Sequence, residues 1–406
     1  MSTTKRRSRF LGIFSRKAVA SVEPPAAVSA NSADVSGWEN SAGASHNLAK
    51  TSKELDDYFQ SIDGSDATLA NILHKSRWVE KAQACSNSSF ATCSLPEAPL
   101  ETSRRQLVKL AALSAVKVYA KPGTENLSSS DFDVVGEPVK IDADLLGGPV
   151  KATTAWLYTP KESSTSSSNV IVVAIRGSVT THDWMVNLND GAEGPVQDAF
   201  LGTDNEGGLY SAHSGFLNCA KATNATVVDH IYQLWSNNFA AGVRSKPMLL
   251  FTGHSAGGAV AAMLYARFLK CDPISEDRNK SLVLKNAFRT VHCITFGAPP
   301  ITTKSLSPFQ ADSVFLSIVN DGDPVPRADN KYINALLRLF SGPMPEEGTK
   351  YALPPRVLFN AGQVVIALDD SRLLRPNEFG AGSLAETVMG NKRAHPMKEY
   401  RRRIEL

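Results

Sequence analysis

Apolar residues along this chain fall into two patterns. Residues 170–175 form a short run that is apolar throughout, and further strand-like runs, mostly apolar, follow at 248–252, 290–296 and 314–319. A strand with one wet face alternates apolar and polar positions, so the unbroken run 170–175 predicts a strand buried on both faces of a mostly parallel sheet. Residues 133–141 and 153–158 also read as strands, and the polar loop 162–169 follows them. Between the runs the period changes. Leu107, Leu110, Ala111, Ala115 and Val116 fall at helical spacing within 104–121, and further helical segments are expected at 226–239 and 258–266. Strands alternating with helices predict an α/β fold in which helices flank a central sheet.

The amino-terminal quarter is patterned differently. Lys5, Arg6, Arg7, Arg9, Arg16 and Lys17 precede the first acidic residue, Glu23. Phe10, Leu11, Ile13, Phe14 and Ala18 share one side of a helical wheel, with Arg9 and Arg16 on the other. That suits a mitochondrial transit peptide or an interfacial anchor, with a solvated basic tail as the alternative. A secretory signal needs a longer apolar stretch. Residues 21–50, rich in Ala, Ser, Asn and Pro, bury too little to offset the entropy of ordering and read as disordered. Helical spacing begins near Ser52, and Ser65-Asp66 is a candidate cap for a helix carrying Leu69, Ile72, Leu73 and Trp78. A polar stretch, 84–101, follows. The expected organisation is therefore a tail (1–50), a helical amino-terminal extension (51–103) and a catalytic domain (104–406).

Composition narrows the partners. The 406 residues are 42% hydrophobic with a formal net charge of +3, enough for a large core and without the excess charge of a nucleic-acid module. Cys85, Cys93, Cys219, Cys271 and Cys293 are odd in number and lack zinc-ligand spacing, which reads as reduced thiols in an intracellular compartment and no metal site, with a free thiol in a secreted protein as the alternative. No apolar run approaches the ~20 residues of a spanning helix.

The chemistry begins at Gly253-His254-Ser255-Ala256-Gly257, which joins an apolar run to a small-residue helix. This is the strand–turn–helix context of a nucleophile elbow, in which a sharp turn exposes a serine. A serine hydroxyl attacks only when a base removes its proton, so a histidine and a carboxylate are required elsewhere. After Ser255 the chain has His292, inside an apolar strand and so a core histidine, and His395, just before a terminal helix that Pro396 starts. Asp321 and Asp323 both follow the run 314–319. Asp323 is preferred because Gly322 and Pro324 bracket it in a defined turn. The backbone N–H of Ala256 is one expected oxyanion donor. Ser178, after the run 170–175, supplies the second, with an ordinary polar turn as the alternative. His213 precedes the elbow and reads as a structural anchor.

Taken together, Ile175-Arg176-Gly177-Ser178 with Trp184, Ala212-His213-Ser214-Gly215-Phe216, Gly253 to Gly258, Phe296-Gly297-Ala298-Pro299, Asp323-Pro324-Val325-Pro326 and His395 resemble the class 3 lipase family. The resemblance implies an α/β-hydrolase fold with Ser255 as nucleophile, Asp323 as carboxylate, His395 as base, and Ser178 and Ala256 at the oxyanion hole. Many relatives carry leucine at position 256, and residues 328–354 look longer than in small secreted members. Trp184, Met185, Val186 and Leu188 resemble the family's lid, an amphipathic segment that opens at a lipid surface; packing on the core is the alternative.

The expected function is thus an intracellular serine ester hydrolase acting on di- or triacylglycerol at a peripheral membrane or lipid-droplet surface, with no cofactor and no nucleic acid. Phospholipase A1 or small-ester esterase activity is the alternative on the same machinery. A non-catalytic signalling protein on the same fold is disfavoured by the complete triad.

Overall fold

In a computed structural model of the chain, residues 69–120, 129–141, 152–177, 194–204, 206–243, 245–270, 278–306 and 312–404 are described. In chain order the strands are β1 (Phe132–Ile141), β2 (Thr153–Pro160), β3 (Val170–Ile175), β4 (Val196–Gln197), β5 (Ser211–Ala212), β6 (Met248–His254), β7 (Val291–Phe296), β8 (Phe315–Asn320), β9 (Gln363–Ala367) and β10 (Leu373–Leu374). The helices are α1 (Leu69–Ala84), α2 (Thr102–Lys117), α3 (Ser214–Ala240), α4 (Ala256–Lys270), α5 (Arg278–Lys285), α6 (Asn330–Ser341) and α7 (Met397–Ile404). The amino-terminal tail, the Ser65-Asp66 cap, Ser178, Cys271 and the lid candidates Trp184, Met185, Val186 and Leu188 lie outside the described residues.

Eight strands form one sheet in the order β1-β2-β3-β6-β7-β8-β9-β10. From β3 to β9 every pairing is parallel, while β1, β2 and β10 add antiparallel edges. This is the mostly parallel, helix-flanked sheet of an α/β-hydrolase. The register aligns Ile175 with Gly253, His254 with Phe296, and Phe296 with Ile318. The carboxyl ends of β3, β6, β7 and β8 therefore form one edge, where ligands of open parallel sheets bind.

Apolar runs become strands here because both faces are covered. All six residues of β3 are buried. Ile171, Val173 and Ile175 pack into the cluster that holds residues from α1, α3, α4 and α6, whereas Val170, Val172 and Ala174 pack into the cluster that holds α2 and α7. Successive side chains serve opposite cores, so neither face has room for a polar residue.

Two segments differ from the sequence expectation. Helix α3 begins at Ser214 and runs 27 residues, well before position 226. Its first half is rich in small and polar residues, so its apolar stripe is thin there, yet Phe216, Leu217, Cys219 and Ala220 are buried. The stretch 84–101, read as a separator, is strapped to the body. Trp78 of α1 stacks on Phe340 of α6 at 4.9 Å between ring centroids, and Lys81 Nζ donates to the carbonyls of Phe340 and Gly342 at the end of α6. Asn87 exchanges hydrogen bonds with Tyr351, and Ala98 N–H donates to Leu373 O at 2.7 Å. Phe90 is wholly buried in the same cluster as α3 and α4. Packing is continuous across positions 103 and 104, and the described residues all fall in one compact unit.

Among the described residues no helix is long and apolar enough to cross a membrane, and no group of His, Cys, Asp and Glu has the arrangement of a metal site. Cys85, Cys93, Cys219 and Cys293 are free thiols.

Candidate active site

Ser255 follows β6 directly and has φ of +56°, in the left-handed region that a non-glycine residue rarely adopts. A turn this tight brings the helix onto the sheet. A Cβ on Gly257 would collide with the Ile175 carbonyl oxygen and lie 2.7 Å from the Arg176 carbonyl carbon, so only glycine lets α4 leave the elbow here. Ser255 N–H donates to Phe296 O at 2.9 Å, tying the elbow to the end of β7. Ala256, fully buried, is the first residue of α4, and its N–H is one of the helix-start donors that no turn of the helix satisfies.

The two candidate aspartates part company. Asp323 is wholly inaccessible, and His395 is 4% exposed. His395 Nδ1 lies 2.9 Å from Asp323 Oδ2 and 3.1 Å from Oδ1. With Nδ1–H donating to the carboxylate, Nε2 is left as the lone-pair nitrogen, the tautomer a general base needs. Asp323 Oδ1 also accepts Val325 N–H at 2.9 Å, and Oδ2 accepts the hydroxyl of Tyr400 at 2.5 Å. Asp321 looks the other way. Its carboxylate accepts Ser89 Oγ–H at 2.6 Å and Phe90 N–H at 3.1 Å, and so holds the amino-terminal strap.

The loops carrying acid and base are stitched together by their backbones. Asn391 N–H donates to Gly322 O at 2.8 Å, and Asn320 Nδ2 donates to Ala394 O at 2.7 Å. Tyr400, on the first turns of α7, accepts Asn320 N–H at 3.1 Å while donating to Asp323. Burial, and then the neighbouring Asp323 carboxylate, push its phenol well above the ordinary tyrosine value, so Tyr400 keeps the proton it donates.

Three other described histidines, His292, His213 and His254, are accounted for by their surroundings. His292 is buried in β7, where Nδ1 accepts Val314 N–H at 2.9 Å and Nε2 faces Thr290 Oγ1 at 2.8 Å; burial pushes its pKa down to about 4. His213 precedes α3, donates its N–H to Ile301 O at 2.9 Å and lies with its ring 4.5 Å from that of Phe216. His254, inside the elbow motif, is buried with its ring 4.6 Å from that of His395.

The structure therefore brings Asp323 and His395 into direct contact at the sheet edge from which Ser255 projects. Sequence reasoning passed over Tyr400 and the strap on Asp321. The order of motifs along the chain carries no signal for either.

Residues 172–332 match the family described as Lipase (class 3). The matched segment contains the elbow and Asp323 but stops short of His395 and Tyr400. No curated protein matches the chain. Similar solved structures include the Rhizomucor miehei lipase propeptide complex, at 15% identity and a TM-score of 0.44 over 74% of this chain and 81% of that one. A triacylglycerol lipase from Penicillium expansum is 16% identical, with a TM-score of 0.40 over 73% of this chain and 98% of that one. A lipase from Rhizopus microsporus var. chinensis is 18% identical, with a TM-score of 0.41 over 75% of this chain and 93% of that one.

Proposed function

We propose, for a chain whose residues 172–332 belong with the class 3 lipases, that it is a serine carboxylic ester hydrolase cleaving di- or triacylglycerol through an acyl-enzyme on Ser255. The observation that carries this reading is the buried Asp323–His395 pair on the same sheet edge as the elbow.

The steps follow from that geometry. His395 Nε2 takes the Ser255 proton as Oγ attacks the ester carbonyl carbon. Asp323 holds the imidazole in its tautomer and stabilises the imidazolium that forms. Negative charge on the tetrahedral oxygen is met by Ala256 N–H at the start of α4, with Ser178 as the second donor. Collapse breaks the ester C–O bond, and His395 gives its proton to the departing glyceride oxygen. Water then attacks the acyl-enzyme with His395 again as base. Proton transfer closes the cycle, releasing a fatty acid.

The lipid preference belongs to the same proposal. Trp184, Met185, Val186 and Leu188 act as a lid whose opening exposes apolar area at about 25 cal/mol per Å², a cost that disappears when a membrane or droplet surface receives it. Free thiols at Cys85, Cys93, Cys219 and Cys293, among the described residues, support a reducing compartment.

The test is fatty-acid release by purified protein from tri-, di- and monoacylglycerol and from phosphatidylcholine, with acyl length varied. Release from di- or triacylglycerol, with Ser255→Ala lowering turnover by about 10⁴-fold or more, is the expected result. Unchanged turnover in that variant, or no release by the wild type, would overturn the reading. A strong preference for phosphatidylcholine would move the substrate class to phospholipids.

A further inference from the structure

A chain of hydrogen bonds crosses the molecule just behind the elbow, and its direction can be worked out from the chemistry of its two ends. His254 Nε2 lies 2.8 Å from the backbone carbonyl of His395. A carbonyl only accepts, so Nε2 carries the proton and Nδ1 is the lone-pair nitrogen. Nδ1 lies 3.3 Å from the Tyr119 hydroxyl, which therefore donates to it. The other end is fixed in the same way, because Gly177 N–H donates to the Tyr119 oxygen at 2.9 Å. The chain reads Gly177 N–H to Tyr119, Tyr119 O–H to His254 Nδ1, and His254 Nε2–H to His395 C=O.

We propose that Tyr119 and His254 are positioning residues, a relay that locks the loop leaving β3 and the loop carrying His395 to the elbow strand in one fixed register. This rests on the ester-hydrolase reading of Ser255 and His395. Each joined segment has a distinct task. Gly177 immediately precedes the position expected to supply the second oxyanion donor. His254 immediately precedes the nucleophile, and the carbonyl it binds belongs to the base itself. The nucleophile follows β6, the loop with the second donor follows β3, and the base stands in the loop before α7; a serine hydrolase loses rate when such groups drift by fractions of an ångström.

Two features separate a relay from ordinary packing. The first is fit at Gly177, where a Cβ would stand 2.5 Å from the Tyr119 oxygen and 2.8 Å from the His254 carbonyl oxygen. Position 177 must be glycine for Tyr119 to reach its N–H. The second is charge. Burial, and then the proximity of His395, push the His254 pKa down to about 3, so its ring stays neutral wherever His395 works as a base. A protonated His254 would set a like charge 4.6 Å, ring to ring, from the imidazolium that His395 becomes during turnover. It would also remove the Nδ1 lone pair that the Tyr119 hydroxyl needs.

The experiment compares wild type, Tyr119→Phe, His254→Phe and His254→Gln in kcat and KM on a soluble ester and in melting temperature. It adds nitrogen NMR of histidine-labelled wild type. Tyr119 is 36% exposed, so Tyr119→Phe folds readily. Its kcat is expected to fall about 10-fold with KM unchanged, the loss of one hydrogen bond that holds the reacting groups in register. His254→Phe is expected to fall further. His254→Gln, whose amide N–H reaches the place of Nε2–H, should recover most of that loss. The His254 resonances should report a neutral ring protonated on Nε2 from pH 8 to pH 5. Unchanged kcat in Tyr119→Phe, or a glutamine variant no better than phenylalanine, would overturn the relay even if His254→Phe fails to fold. A ring protonated on Nδ1 would overturn it irrespective of activity. Wild-type turnover itself reports on the hydrolase reading, so the two failures are distinct.

Discussion

Two carboxylates two residues apart do opposite jobs in this molecule. Asp323 meets His395, Tyr400 and Val325 N–H in a site closed to solvent, whereas Asp321 meets Ser89 and Phe90 of the strap. Replacing Asp323 by Asn removes the charge that fixes the imidazole tautomer, and kcat should fall about 10⁴-fold; because an amide nitrogen cannot accept the bonds one carboxylate oxygen now takes, stability should also fall, by about 1–3 kcal/mol. Asp321→Asn should lose stability alone, leaving kcat within a few-fold while costing about 1–3 kcal/mol in urea unfolding. If Asp321→Asn were the inactive variant, the carboxylate would have to be reassigned. Tyr400 sits between these extremes. Tyr400→Phe removes a donor to Asp323 and leaves the buried Asn320 N–H without its acceptor. It should lower both kcat, by about 10-fold, and stability, by about 1–3 kcal/mol. An effect on stability alone would reduce Tyr400 to a packing residue.

At the level of elements, the strap and α1 are part of the hydrolase body. Trp78 is 3% exposed and lies flat on Phe340, so Trp78→Ala should cost about 3–5 kcal/mol in equilibrium unfolding. A loss under about 1 kcal/mol would mean that α1 is dispensable. The pattern of apolar positions had much of this architecture in it and omitted the rest for physical reasons. Strands β3, β6, β7 and β8 were legible because burial on both faces leaves a run that is mostly apolar, wholly so in β3. Strand β9 was not, since it spans five residues, begins with an exposed Gln363 and has one half-buried valine before its buried end. Helix α6 carries a local signal that went unread, an Asp329 cap that accepts Tyr332 N–H and buried Tyr332, Ile333, Leu336, Leu339 and Phe340 at helical spacing. The positions Ser255, Asp323 and His395 were legible because each stands at a strand exit or helix start with turn residues beside it. Tyr119, Tyr400 and Ser89 stand in ordinary helical or polar settings, and their partners lie far away in sequence. Such contacts are written in the fold and have no local signature.

For the molecule as a whole, two buried neutral histidines set an acid limit on stability. His254 and His292 have pKa values lowered from the ordinary 6.5 to about 3 and about 4. Above pH 6.5 neither the folded nor the unfolded chain protonates them, and their contribution is fully present. Between pH 6.5 and the folded values the unfolded chain takes up protons that the folded chain refuses, so stability falls with decreasing pH by about 1.4 kcal/mol per unit for each histidine. Urea unfolding at pH 7.5, 6, 5 and 4.5 should show a progressive loss below pH 6.5. A flat profile over that interval would contradict neutral burial of both rings. The same sheet that buries these rings presents Ser255, the Asp323–His395 pair and the start of α4 along one edge, and the account stands on their acting as one acyl-transfer centre. The most direct measurement is the intact mass and peptide map of the protein after incubation with an alkyl phosphonate ester, which traps an activated serine as a stable analogue of the tetrahedral intermediate. The account predicts one adduct per chain, mapped to Ser255, forming at a rate strongly reduced in Asp323→Asn. No adduct on the wild type, or an adduct on Ser255 at the same rate in both proteins, would contradict it.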